Sequence, residues 1–119
     1  MNEQARWIEY QGHRVLLNDY RGLANQEYTE AIVRRVAEIT ESGNREILLL
    51  LDVTDSYVDK ETLHAFKQAG KEVRPYVRKL AVIGVSGVQK FFLPIINQFS
   101  NVDARAFNTE RAALDWLTT

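Results

Sequence analysis

The sequence predicts an α/β fold: a mixed, mainly parallel sheet of about five strands with four helices, in the order ββαβαβαβα. Three features predict it. The chain opens with two short runs of alternating polarity. Two nearly unbroken apolar runs, residues 47–51 and 80–85, then lie between segments of helical spacing. The chain closes on a strand-sized run followed by a helix-sized one. Strands that alternate with helices imply crossover connections and a sheet with helices packed on it.

Each element has its own signal. Residues 6–10 and 14–19 alternate about Gln11, Gly12 and His13, which reads as a hairpin turning at Gly12. Over residues 25–42, Tyr28, Ile32, Val33, Val36, Ala37 and Thr40 recur at helical spacing, and Gly43 with Asn44 supplies a left-handed stop. Residues 46–53 (EILLLLDV) have no polar side chain between Ile47 and Leu51, so this strand is expected to be central and covered on both faces. After the polar turn Thr54, Asp55, Ser56, Asp59 can cap a second helix that carries Leu63, Phe66 and Val73 inward and is ended by Pro75. Residues 80–85 (LAVIGV) form the next buried strand. Ser86 with Gln89 then makes a capping box for a third helix over residues 88–99, where Pro94 predicts a kink. Residues 102–107 read as a more polar last strand, and Asn108 or Thr109 can cap a closing helix with Ala113, Leu114 and Leu117 inward.

Composition bounds the function. A length of 119 residues suits one domain, taken as 1–119, with a core that needs no disulfide or metal staple. Fifteen Lys and Arg against sixteen Asp and Glu leave a net charge of -1, which argues against nucleic acid as partner. The absence of cysteine removes disulfides, thiolate metal sites and thiol nucleophiles, and fits a reducing compartment. The start Met1-Asn2-Glu3-Gln4 is polar and acidic, unlike a signal peptide, and the longest apolar run is far too short to span a bilayer, so a soluble cytoplasmic protein is expected. No cofactor is expected.

The best candidate site is the carboxyl end of the central strand, where open α/β sheets place their ligands. Asp52, Asp55 and Asp59 gather there. Three close carboxylates can hold a magnesium ion or shift one another's pKa; the plainer reading makes Asp55 a turn former, Asp59 a cap and Asp52 a strand end. Ser56 is expected to be exposed on the same turn and able to accept a phosphate, and Tyr57 and Lys60 complete the candidate surface. Gly84 to Gly87 opens the third helix and can offer backbone N–H groups to an anion with Lys90 nearby, though it matches neither the P-loop nor the dinucleotide pattern and a capped turn accounts for it as well. His13 and His64 fall on separate elements, so neither a metal site nor a hydrolytic triad is expected, and no catalytic residue is assigned.

Two surface features remain. Lys67, Lys71, Arg74, Arg78 and Lys79 surround Tyr76, a patch suited to phospholipid head groups (a peripheral membrane contact) or an acidic partner, unless it is a solvated helix end. Phe91, Phe92, Leu93, Ile95, Ile96 and Phe99 cover more than one stripe of their helix. That surplus fits a homodimer face, a protein partner, a membrane contact or the wall of an apolar pocket, with core packing as the competing account.

The element order, together with WIEYQGHRVLLNDYRG at the start, EILLLLDVTD in the middle, KLAVIGV before the third helix and AFNTERAALDWL at the end, resembles the SpoIIAA-like branch of the STAS fold over about residues 6–117. Its most specific piece is the ending, with Phe107, Thr109, Glu110, Ala113, Trp116 and Leu117. The resemblance implies a non-enzymatic regulatory or protein-interaction domain working through residues 55–60 and the third helix, with Asp52, Ser86, Phe91, Phe92 and Ile95 as further candidate contacts. STAS domains are similar in carrying an Asp-Ser pair at the start of the helix after the central strand, where a kinase phosphorylates the serine. Placing Asp59 at that aspartate puts Lys60 at the serine, and Asp55-Ser56 is the alternative placement. The branch also looks like the CRAL-TRIO lipid-carrier fold, which implies as a second reading a small apolar ligand held between helix 88–99 and the sheet.

Overall fold

The structure, a computed structural model, describes residues 4–85 and 103–119. In chain order these form β1 (Ala5–Tyr10), β2 (His13–Asp19), α1 (Asn25–Ser42), β3 (Ile47–Asp52), α2 (Lys60–Val73), a single 3-10 turn (Arg74–Tyr76), β4 (Val77–Ile83), β5 (Asp103–Phe107) and α3 (Glu110–Leu117). Three α-helices are thus seen among the described residues; the expected helix over 88–99 lies outside them. The five strands make one sheet in the order β1-β2-β3-β4-β5, with β1 antiparallel to β2 and every other pair parallel. β3 is central, as its apolar run requires.

Local chemistry explains most boundaries. Tyr10 pairs with His13 across a two-residue turn in which Gln11 (φ 50°) and Gly12 (φ 81°) both take left-handed values, the turn whose twist suits a hairpin. His13 therefore opens β2 and is not part of the turn. α1 stops where Gly43 turns left-handed. Asp59 caps α2 by accepting from the Thr62 backbone N–H at 2.8 Å, and Thr109 caps α3 by accepting from Ala112 N–H at 3.1 Å. The largest boundary difference is at β4, which starts at Val77 and ends at Ile83 instead of covering residues 80–85. Val77 is buried, and Pro75 sits inside the 3-10 turn that feeds it, while the positive φ of Gly84 ends the extended run.

Alternation along β3 divides the core in two. Leu49 and Leu51 face α1 and α2, where they join Leu16, Tyr20, Tyr28, Ile32, Phe66, Leu80 and Val82. Leu48 and Leu50 face α3, with Val15, Leu17, Ala81, Ile83, Ala113, Leu114 and Leu117. One strand thus supplies apolar surface to both layers, which is why its sequence shows no alternation. Tyr20, Tyr28 and Phe66 form a tilted and edge-on aromatic group with centroids 5.5–5.6 Å apart at the carboxyl end of the first layer.

Burial pushes the phenols of Tyr20 and Tyr28 above their ordinary value. A group whose folded pKa exceeds its unfolded value contributes stability below the unfolded pKa and loses it as pH rises toward the folded one. We therefore expect the urea midpoint to fall as pH is raised past the ordinary phenol value of about 10, and Tyr20→Phe to flatten that decline. A midpoint flat from neutral pH to strong alkali would refute this account of the two phenols.

Candidate functional site

The carboxyl ends of β2, β3 and β4 lie side by side, because Asp19 pairs with Asp52 and Asp52 with Ile83. Three strand ends therefore share one edge, and the β3–α2 loop (residues 53–59) is tied to its neighbours there. Val53 N–H donates to Ile83 O at 3.0 Å, Gly22 N–H to Thr54 O at 3.1 Å, and Tyr57 N–H to Leu23 O at 2.8 Å. These backbone bonds anchor the loop to β4 and to the β2–α1 connection.

The three aspartates are not brought together. Asp52 Oδ1 accepts from Thr54 N–H (3.1 Å) and Thr54 Oγ1 (2.6 Å), folding the first turn of the loop. Asp55 holds a left-handed φ of 57° on the exposed turn, and Asp59 is spent on its cap. Its hydrogen bonds from Thr62 hold the Asp59 carboxyl below the ordinary carboxylate value. Among the described residues no group of three or more His, Asp or Glu is placed to share a metal ion.

Ser56 corrects the sequence reading. It is only 7 % exposed, not on the surface, and its hydroxyl lies 2.8 Å from Val53 O and 2.9 Å from the Tyr28 hydroxyl. With Ser56 donating to the Val53 carbonyl, the buried Tyr28 O–H donates to Ser56 in turn, so a turn serine serves to satisfy a core phenol. The next residue is the reverse case: Tyr57 is 59 % exposed, its ring standing out from a loop held on both sides of it. Lys60 is exposed as the first residue of α2. Of the two Asp-containing pairs, Asp59-Lys60 is the one at the start of the helix after the central strand, and Lys60 has no hydroxyl to phosphorylate. Ser86, Phe91, Phe92 and Ile95 lie outside the described residues.

A feature the sequence reading missed is Arg21. Its guanidinium binds Asp19 through Nε (2.9 Å) and a terminal nitrogen (2.7 Å) and reaches Asp52 at 3.8 Å, so one cation serves the two carboxylates that end neighbouring parallel strands. Partial burial raises the Asp19 pKa, but the Arg21 hydrogen bonds outweigh it and hold the carboxyl below its ordinary value. An aspartate ending each of two adjacent strands was the available signal. The expected basic patch is divided. Lys79 turns to the α3 side, 5.0 Å from the Trp116 ring, and donates to Trp116 O at 3.1 Å, while Arg78 faces Glu46 at 3.9 Å. His13 and His64 are exposed on separate elements.

The cavity between α1, α2 and the sheet measures about 30 Å³ and is bordered by Asn18, Tyr20 and Arg35 as well as apolar side chains. That is room for a water molecule; the pocket expected between helix 88–99 and the sheet falls outside the described residues. No helix among the described residues is long and apolar enough to cross a membrane.

A mixed five-stranded sheet with β1 antiparallel, α1 and α2 on one face, α3 on the other and a capped loop after the central strand defines an α/β fold of the STAS type. The SpoIIAA-like family model matches residues 8–118, and the chain belongs to the SpoIIAA-like family. Solved structures agree on the fold. An uncharacterised protein of the DUF3478 family with a SpoIIAA-like fold from Shewanella loihica PV-4 is similar at a TM-score of 0.71 and 20 % identity, over 95 % of this chain and 91 % of that one. An anti-sigma-factor antagonist (STAS) domain protein from Planctomyces limnophilus is similar at a TM-score of 0.65 and 15 % identity, over 97 % of this chain and 98 % of that one. A comparison with curated proteins found no match.

Proposed function

We propose that this chain is a non-enzymatic regulatory module that binds a protein partner through the β3–α2 loop and the start of α2, residues 55–60. The observation that carries this reading is Tyr57, an exposed aromatic ring on a loop whose base is fixed by the backbone bonds to Leu23, Gly22 and Ile83 and by the Ser56–Tyr28 contact. A preorganised aromatic loses little freedom on binding, and such residues carry a disproportionate share of interface energy. The similar anti-sigma-factor antagonist domain supports a role in protein association, without phosphorylation at the helix start because Lys60 stands there. The buried candidate acceptor, Ser56, is spent on Tyr28.

Tyr57→Ala is the test. The ring packs little, so the thermal midpoint should stay within a degree or two of wild type. Wild-type and variant chains are used as baits in extract from the native cell and compared by quantitative mass spectrometry. Specific partners should drop by at least about tenfold on the variant, the effect of losing one aromatic anchor. Equal recovery of every partner by the two baits would overturn the assignment of the loop.

A further inference from the structure

We propose that the outer face of α2 docks an acidic protein segment, an inference that rests on residues 55–60 being the partner-facing loop and adds the chemistry of the partner. Lys60, His64, Lys67 and Lys71 follow one another at spacings of four, three and four. At about 100° per residue they fall within an arc of about 60°, a basic stripe about 16 Å long. The buried residues of α2, Thr62, Phe66, Gly70 and Val73, lie on the other side. Lys60, His64 and Lys71 are exposed and Lys67 is half-buried. The stripe begins three residues after Tyr57, so loop and helix present one continuous surface.

The charges of these lysines are unspent, whereas several other cations are engaged: Arg14 with Glu9, Arg21 with Asp19, Arg35 with Glu38 and Arg78 with Glu46, while Arg45 lies over Tyr76 and Lys79 over Trp116. Among the described residues no carboxylate comes within ion-pair distance of Lys60, Lys67 or Lys71. A row of unpaired cations on a fixed scaffold attracts an anionic partner and steers its approach. The width of the row selects the kind of partner. Glu61 and Glu72 lie about 100° round the helix from the middle of the stripe, so the cationic surface is a single row wide and is flanked on one side by carboxylates. A narrow occupant, a helix or extended segment bearing Asp and Glu, lies along the lysines and avoids them.

The experiment measures fluorescence anisotropy of a fluorescein-labelled polyglutamate chain at low salt with four proteins: wild type, the triple variant Lys60→Gln, Lys67→Gln, Lys71→Gln, the control Arg14→Gln, and Tyr57→Ala. Glutamine keeps the side-chain length and helix propensity, and an unchanged thermal midpoint confirms the fold. Wild type and Arg14→Gln should bind alike, with affinity falling as salt rises, and the triple variant should bind at least about tenfold more weakly. Equal binding by the triple variant and wild type, or no binding by wild type, would overturn the inference. So would stripe-dependent binding to phosphatidylserine vesicles as strong as that to polyglutamate. The loop reading fails separately: if Tyr57→Ala recovers every partner while the triple variant loses polyglutamate, the stripe stands and the loop assignment does not.

Discussion

Gly84→Ala is expected to lower the unfolding free energy by about 3 kcal/mol or more, a large fraction of the about 5–15 kcal/mol that holds an ordinary domain folded. Two independent costs combine. Gly84 has φ of +87°, a conformation that an L side chain rarely adopts. A Cβ built there would stand 2.3 Å from Thr54 Oγ1, 2.5 Å from Thr54 N and 2.6 Å from Thr54 Cα. Two of those three atoms belong to the backbone, so no rotamer change relieves the clash. Nor is Thr54 free to retreat: its N–H and hydroxyl are held by Asp52 Oδ1, its carbonyl accepts from Gly22, and Val53 beside it is bound to Ile83. The substitution therefore strikes the junction that fastens the β3–α2 loop to the end of β4. Urea denaturation followed by circular dichroism measures the loss; a variant within about 1 kcal/mol of wild type, the level of an average point substitution, would mean that the close approach is relaxed at little cost and that the loop is less firmly anchored than argued above.

The same junction shows what the sequence could and could not reveal. The order of elements was legible because each strand and helix carries a signal of its own: the unalternating run of β3, the left-handed Gly12 and Gly43, the Asp59 cap. Those signals are local. Gly84 was readable as a strand end and a helix-opening turn, but its real constraint is Thr54, thirty residues earlier in the chain, and no pattern of neighbours encodes that approach. The apolar run marks only residues 80–85, whereas β4 begins three residues earlier, at Val77, and takes in Arg78 and Lys79. In the structure Arg78 points to solvent near Glu46, and the Lys79 ammonium lies beside Trp116 at the far end of the chain. The candidate site was legible in place but not in role. Asp59 and Asp52 were weighed as caps and strand ends, and that is how they are used, whereas Arg21 drew no attention because its carboxylates come from two different strands. Ser56 was misjudged for a physical reason: a polar residue in a polar turn is normally solvated, and only Tyr28, whose buried hydroxyl needs a partner, draws it inward.

Ser56→Asp carries that point to a measurable end. The substitution replaces a hydroxyl that donates to the Val53 carbonyl with a carboxylate that can only accept, so two acceptors face each other where a 2.8 Å hydrogen bond stood. Tyr28 can still donate, but one phenol hydrogen bond does not offset the desolvation of a charge at a position only 7 % exposed. The expected loss at neutral pH is about 3 kcal/mol or more. Tyr28→Phe, which leaves Ser56 with its Val53 bond, should cost only about 1 kcal/mol. Burial raises the pKa of the introduced carboxyl in the folded state above its unfolded value, so the neutral acid is favoured in the native fold; the deficit should shrink as pH falls toward the unfolded carboxylate value and be greatest above the folded one. Urea midpoints for wild type, Ser56→Asp and Tyr28→Phe at acid and neutral pH separate these effects. A Ser56→Asp chain as stable as wild type at neutral pH would show that the loop yields and the carboxylate escapes to water. The expected result has a consequence for regulation: a phosphate on Ser56 could not be added to the closed loop as a surface charge. It would first require the Tyr28 contact to break, moving the loop that carries Tyr57, the residue proposed above to face a partner.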